Sequence, residues 1–84
     1  MPDPTVLAAG PPFGGEATRP YRFVVLRWAD GYSAHTEFLD AEGGYSDGDY
    51  FRSLAAAVGR WLTRNAAEFE RRPGCLLPSP PGGP

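Results

Sequence analysis

The chain has 84 residues, enough for one small domain, and carries a net charge of −2 with one cysteine and one histidine. This composition excludes an intramolecular disulfide, a zinc site built from several histidines and cysteines, and strong long-range attraction to nucleic acid or anionic membranes. All eight basic residues are arginine, which together with the many alanines, glycines and prolines indicates a GC-rich bacterial or phage genome.

Residues 1–18 are rich in proline and glycine and predict a flexible N-terminal arm. Such segments bury too little apolar surface to offset the entropy that is lost on ordering. The arm has neither a basic start nor a continuous apolar run, so no signal peptide is expected. No apolar run in the chain approaches the roughly 20 residues that span a bilayer. We therefore expect a cytoplasmic protein without membrane association.

A β-hairpin follows the arm. Aromatic and β-branched residues over Tyr21–Trp28 predict one strand, and the alternating pattern of residues 32–39 predicts a second strand antiparallel to it. The connection allows two registers. One has a two-residue Asp30-Gly31 turn, and the other has a three-residue loop that begins one residue earlier.

The distribution of apolar residues distinguishes the two registers. The three-residue loop pairs Trp28 with Tyr32 and collects Val24, Leu26 and Trp28 on one face, with Arg27 on the other. A shift of one residue exchanges the faces of a strand, and the two-residue turn would place Arg27 among the core residues. The hydrophobic pattern therefore favours the three-residue loop.

Residues 40–49 contain two glycine turn signals and predict a loop. Tyr50-Phe51 predicts a short third strand. A helical pattern begins directly after Ser53, which makes this serine the preferred N-cap. A cap at Ser46 or Asp47, with an earlier helix start, is the alternative.

Apolar residues recur at helical spacing from residue 54 to residue 71, and Pro73-Gly74 ends the predicted helix. Its apolar face consists of Leu54, Ala57, Val58, Trp61, Leu62, Ala66 and Phe69. We expect this face to pack on the sheet side that bears Val24, Leu26 and Trp28. Gly59 costs about 1 kcal/mol relative to alanine in a helix interior, which suggests close approach to the sheet there.

The order of elements predicts an α+β fold, in which a β-hairpin or a three-stranded antiparallel sheet packs on one C-terminal helix. The predicted organisation is a flexible arm at residues 1–18, a core domain at 19–72 and a flexible Pro/Gly-rich tail at 73–84. A core of about 50 residues without a disulfide or metal is marginally stable alone. This marginal size favours a partner protein or self-association.

The sheet face that the predicted helix leaves open carries an apolar row with a polar rim, which is typical of a protein interface. The predicted partner-binding residues are Tyr21, Phe23, Val25, Arg27, His35 and Glu37. We predict a non-catalytic protein–protein interaction module that acts as an inhibitor, an antitoxin-like protein or an accessory subunit. No catalytic, metal or cofactor site is predicted, and Cys75 in the tail shows no sign of a reactive thiol.

Two other classes of function remain as alternatives. Arg60, Arg64 and Arg71 share one helix face, so a small nucleic-acid-associated regulator is the first. An enzyme that uses His35 is the second and less favoured one. The neighbours of His35 that could assist catalysis, Ser33 and Glu37, lie on the same strand. Side chains two residues apart on a strand point alongside each other and do not converge on a substrate.

Three segments resemble a known family. The strand at residues 21–25, the Asp30-Gly31-Tyr32 turn and the Ser-Leu-Ala-Ala-Ala helix start at residues 53–57 are similar to the partial RNase-H-like domain of HicB-type antitoxins. The resemblance implies a non-catalytic protein that inhibits a partner through its sheet and helix.

Overall fold

A computed structural model describes residues 3–14 and 18–71. In this part of the chain, one sheet of four antiparallel strands in the order β1-β2-β3-β4 precedes one helix. The elements are β1 (Thr5–Ala9), β2 (Tyr21–Trp28), β3 (Gly31–Phe38), β4 (Tyr45–Phe51) and α1 (Leu54–Arg71). The predicted α+β fold is confirmed, with a sheet of four strands. The predicted tail at 73–84, with Cys75, lies outside the described residues.

The N-terminal arm is part of the core, so the prediction that all of residues 1–18 are flexible is wrong. β1 pairs antiparallel with β2, and backbone hydrogen bonds from Gly10 and Phe13 continue this pairing. The Phe13 side chain is only 1% exposed. Its ring contacts those of Tyr21, Phe23 and Phe69 at centroid distances of 5.7–5.8 Å. One buried aromatic ring thus anchors a segment whose composition resembles that of a linker.

The β2–β3 hairpin has a tighter turn than predicted. Trp28 pairs with Gly31, so that Ala29 and Asp30 alone form the turn, and Arg27 pairs with Tyr32. The favoured three-residue loop is therefore wrong, and the observed register also differs from the Asp30-Gly31 turn. The observed register and the Asp30-Gly31 register differ by two residues. Because this number is even, both registers place the same residues on each face of the sheet.

The helix packs on the sheet face opposite to the predicted one. The Trp61 indole Nε1–H donates a hydrogen bond to the backbone carbonyl of Phe23 at 2.9 Å, and Val25 is fully buried. Val24 and Leu26, on the other face, are also fully buried. A strand that is buried on both sides has no polar face, so its hydrophobic pattern does not reveal which side the helix covers.

β4 occupies the second half of the predicted loop and extends the predicted strand at Tyr50-Phe51. A β-bulge interrupts its pairing with β3 opposite His35, where Asp47 adopts a positive φ of 53°. The helix begins where the sequence predicts. The Ser53 hydroxyl accepts a hydrogen bond from the Ala56 backbone N–H at 3.0 Å, which confirms the N-cap.

α1 is rotated about its axis relative to the predicted apolar face. Its buried residues are Ala57, Asn65 and Glu68, while Leu62 is 55% exposed. Polar contacts with the sheet hold this orientation, since the hydroxyl of Tyr21 donates a hydrogen bond to the Glu68 carboxylate. Gly59 is exposed, with no atom within 4 Å of the position that a Cβ would occupy. The predicted close approach of Gly59 to the sheet is wrong.

Candidate functional site: an aromatic sheet face

The register divides the six predicted partner-binding residues between the two faces of the sheet. Tyr21, Phe23 and Val25 lie on the face that α1 and Phe13 cover, and Arg27 shares that face but is exposed. His35 and Glu37 lie on the opposite face. The apolar row that was expected to be open is therefore covered within this chain.

Four aromatic rings form a continuous cluster on the face opposite α1. The His35 ring lies 6.2 Å from Trp28, 6.0 Å from Tyr45 and 5.3 Å from Tyr50, measured between centroids. We call these four residues the aromatic face. Tyr45 and Tyr50 are 40% and 67% exposed, whereas His35 is buried. Large aromatic side chains in such a position form a surface suited to binding.

A chain of hydrogen bonds fixes this cluster from within. The Trp28 indole N–H donates to Ser33 Oγ at 2.6 Å, and Ser33 Oγ lies 2.8 Å from His35 Nδ1. Because Ser33 accepts from the indole, its own hydroxyl proton can donate to Nδ1. Nε2 then carries the imidazole proton and faces the Tyr50 hydroxyl at 3.3 Å. Ser33 Oγ has a second lone pair that can accept from an Nδ1–H, so both neutral tautomers of His35 fit the network.

In this network, Ser33 and His35 do not form an accessible pair of nucleophile and base. Ser33 is fully buried, so its hydroxyl is inaccessible to a substrate. Glu37, the predicted orienting carboxylate for His35, instead forms an ion pair with Arg22 at 2.5 Å. A nucleophile must be reachable and its base must be oriented by a further group. Both conditions are missing in this arrangement.

The tyrosines of the aromatic face were missed at the sequence level. Tyr45 and Tyr50 are an odd number of residues apart, which in a regular strand places them on opposite faces. The bulge opposite His35 adds one residue to β4 and brings both tyrosines to the same face. The Asp47-Gly48 pair was visible as a turn signal, and a turn signal inside an aromatic segment is the available clue to such a bulge.

A shallow cleft of about 370 Å³ lies beside the aromatic face at the end of the sheet. Its lining includes Trp28, Tyr50 and Arg52. Arg52 is exposed, and no ion pair with it occurs in the described part of the chain. The cleft therefore combines two aromatic side chains with an available guanidinium.

The predicted anionic-partner face has its own carboxylates. Arg60 and Arg64 bind the same carboxylate oxygen of Asp49 at 2.8 and 2.9 Å, and Arg71 pairs with Glu68 at 3.0 Å. The hydrogen bond from Arg60, ahead of the charge of Arg64, holds the pKa of Asp49 below its usual value. A phosphate group would have to compete with these carboxylates.

Burial gives His35 an acid-sensitive role. Its pKa is lowered first by burial and then by the nearby charge of Arg64, against an opposing effect of Asp49. The unfolded chain therefore binds the proton more readily than the folded one, and protonation would also leave Nδ1 unable to accept from Ser33.

We expect the free energy of unfolding to fall as the pH drops from about 7 to about 5.5, through the unfolded-state pKa of histidine. Asp40, whose pKa the Arg19 hydrogen bond lowers to about 2, titrates well below this range. The check is urea denaturation followed by circular dichroism at several pH values. His35→Gln, which cannot titrate, should flatten the slope. An equal slope in both proteins would contradict this role.

Metal-ligand groups and membrane-spanning helices are the two further features considered for the part of the chain that the structure describes. No group of three His, Cys, Asp or Glu side chains gathers there in a way that could hold a metal ion. The helix they contain lacks the combination of length and apolarity that a membrane crossing requires.

Comparison of the chain with protein-family models, curated proteins and solved structures gave no match. The resemblance to HicB-type antitoxins stays a prediction.

Proposed function

We propose that this protein is a non-catalytic protein-interaction module that binds a partner protein through the aromatic face. The observation that carries the proposal is Tyr50, which is 67% exposed while its hydroxyl reaches the buried His35. An exposed aromatic ring that is already held in place loses little conformational entropy on binding. Roles as an inhibitor, an antitoxin-like protein or an accessory subunit all require such a surface.

The surroundings of Tyr50 match the anatomy of a protein interface. Tryptophan, tyrosine and arginine are the residues that most often dominate binding energy, and Trp28, Tyr50 and Arg52 border one cleft. The ion pair between Arg22 and Glu37 lies on the same sheet face and supplies polar groups near its edge. A partner side chain that enters the cleft would contact both aromatic rings.

The first test compares partner capture by three immobilised proteins. Wild type and Thr63→Ala, a control at an exposed helix position away from the aromatic face, should retain the same bound protein. Tyr50→Ala should weaken binding about 30-fold, which corresponds to the loss of about 2 kcal/mol at a dominant interface residue. The affinity is measured with the purified partner once mass spectrometry has identified it. Equal binding by all three proteins would rule out the aromatic face.

The second test addresses the nucleic-acid alternative. Fluorescence anisotropy with single-stranded and duplex oligonucleotides, over a range of salt concentrations, measures binding that depends on phosphate contacts. We expect no saturable binding, because Arg60 and Arg64 already bind Asp49. Tight binding that weakens steeply with salt and is lost in Arg64→Ala would replace the present proposal by the nucleic-acid one.

A further inference from the structure

The outer side of α1 carries a partly exposed apolar stripe, whose Phe69 end also contacts the ring of Phe13. Its members recur at intervals of three or four residues along the helix. They are Leu54, Val58, Leu62, Ala66 and Phe69, which we call the outer stripe. Leu54, Leu62 and Phe69 are 43%, 55% and 38% exposed. The stripe lies beside the helix face that packs on the sheet and turns toward the outside of the domain.

Charged residues are absent from this side of the helix between Leu54 and Phe69. At about 100° per residue, the arginines of the helix fall on the opposite flank, where Arg60 and Arg64 bind Asp49 of β4. Exposed helix faces normally carry charges. Gly59 adjoins the stripe and has open space where a Cβ would be, so packing within the chain does not explain a glycine there.

We propose that the outer stripe pairs with the outer stripe of a second copy of this chain, with the two helices antiparallel and Leu62 near the two-fold axis. The spacing of the stripe is self-complementary about Leu62 to within one residue, since its other members lie four and eight residues before Leu62 and four and seven after it. An antiparallel arrangement places Leu54 opposite Phe69 and Val58 opposite Ala66. The small Ala66 leaves room for Val58, so the side chains of the two stripes do not collide. Gly59 lets the partner's backbone approach closely.

The charges at the two ends of the helix fit the same arrangement. Arg52 precedes the helix and Glu70 lies in its last turn, and neither has an ion-pair partner among residues 3–14 and 18–71. Each is unfavourably placed for the dipole of its own helix. In the antiparallel pair, Arg52 of one copy lies near Glu70 of the other. Both charges then lie beside the helix end that attracts them.

The size of the contact sets the expected strength. A helix of 18 residues is about 27 Å long, so a single helix pair falls at the small end of specific interfaces. We expect a reversible dimer that forms in the micromolar range, not a permanent one. The four rings of the aromatic face lie on the other side of the sheet and stay accessible in the dimer, while Arg52 of the adjacent cleft pairs with Glu70 of the second copy. Each dimer then presents two binding faces and gains avidity toward a repeated partner.

The test is sedimentation equilibrium of the full chain from about 5 to about 500 μM. Wild type should change from monomer to dimer within this range. Leu62→Glu should raise the dissociation constant at least tenfold, because it places two like charges at the axis. Ala67→Glu adds the same charge at an exposed position on the opposite flank and should leave the dimer intact. A monomeric wild type at all concentrations, or equal association of both variants, would overturn the proposal.

A charge exchange tests the antiparallel alignment itself. Arg52→Glu and Glu70→Arg should each weaken dimerisation, and the double variant should restore it because the pair is re-formed with the signs reversed. Failure of the double variant to recover would reject this alignment. Tyr50→Ala should dimerise like wild type, so loss of partner binding and loss of self-association are separable. Circular dichroism of every variant verifies that the exposed substitutions leave the fold unchanged.

Discussion

Replacing Phe13 by alanine is expected to destabilise the protein by about 3–5 kcal/mol, the usual cost of removing a buried phenylalanine ring. The ring is 1% exposed and contacts three other aromatic rings, so its removal leaves a cavity between the arm, β2 and α1. Small domains have free energies of unfolding of about 5–15 kcal/mol. At the lower end of that range the substitution removes most of the stability, so the variant should melt far below the wild type.

Urea denaturation monitored by circular dichroism measures this effect. Val6→Ala is the matched control, because Val6 lies in the same arm but is 40% exposed. It should cost less than about 1 kcal/mol. If Phe13→Ala were no more destabilising than Val6→Ala, the arm would contribute little to the core.

Replacing Trp61 by alanine is expected to cost about 3 kcal/mol, the lower end of the range for tryptophan, because the side chain is half-buried. The substitution removes the largest side chain between α1 and the sheet. It also leaves the Phe23 carbonyl without the indole N–H that it accepts at 2.9 Å. The carbonyl keeps its hydrogen bond from the Gly10 N–H at 2.9 Å, so most of the cost is lost packing.

Trp61→Phe separates these two contributions. It keeps most of the ring volume and removes the N–H, so its cost should be about 1–2 kcal/mol. Leu62→Ala, next along the helix but 55% exposed, should change the free energy of unfolding little. Thermal and urea melts of the three variants give the comparison. Equal melting of Trp61→Ala and wild type would mean that the indole does not join helix and sheet.

Much of the fold could be predicted from local patterns. The helix from residue 54 to residue 71, its Ser53 cap and the antiparallel β2–β3 pair are all confirmed. Each depends on residues close together in the chain, where capping and periodicity act directly. The inclusion of the arm depends instead on one ring that meets a helix more than fifty residues away. Composition averages over the arm and hides that contact.

The candidate site was less predictable than the fold, for two physical reasons. The segment from Phe23 to Leu26 is apolar on both sides. The alternation of residues along the strand therefore did not decide which side α1 covers. The bulge in β4 then changed which tyrosines share a face with His35. Both depend on register, and a shift of one residue moves every side chain of a strand to the other face. The role of His35 in binding stays a prediction, and its contacts with Trp28, Tyr45 and Tyr50 could not be predicted without the register.

The bulges also determine how the sheet meets other chains at its two edges. An unbroken edge strand presents a row of backbone N–H and C=O groups, onto which a foreign strand can add and start aggregation. β1 is interrupted between Val6 and Ala8, and β4 is interrupted opposite His35. Asp47 adds negative charge along the β4 edge. Neither edge offers a continuous template, so fibril-like stacking is disfavoured even at high protein concentration.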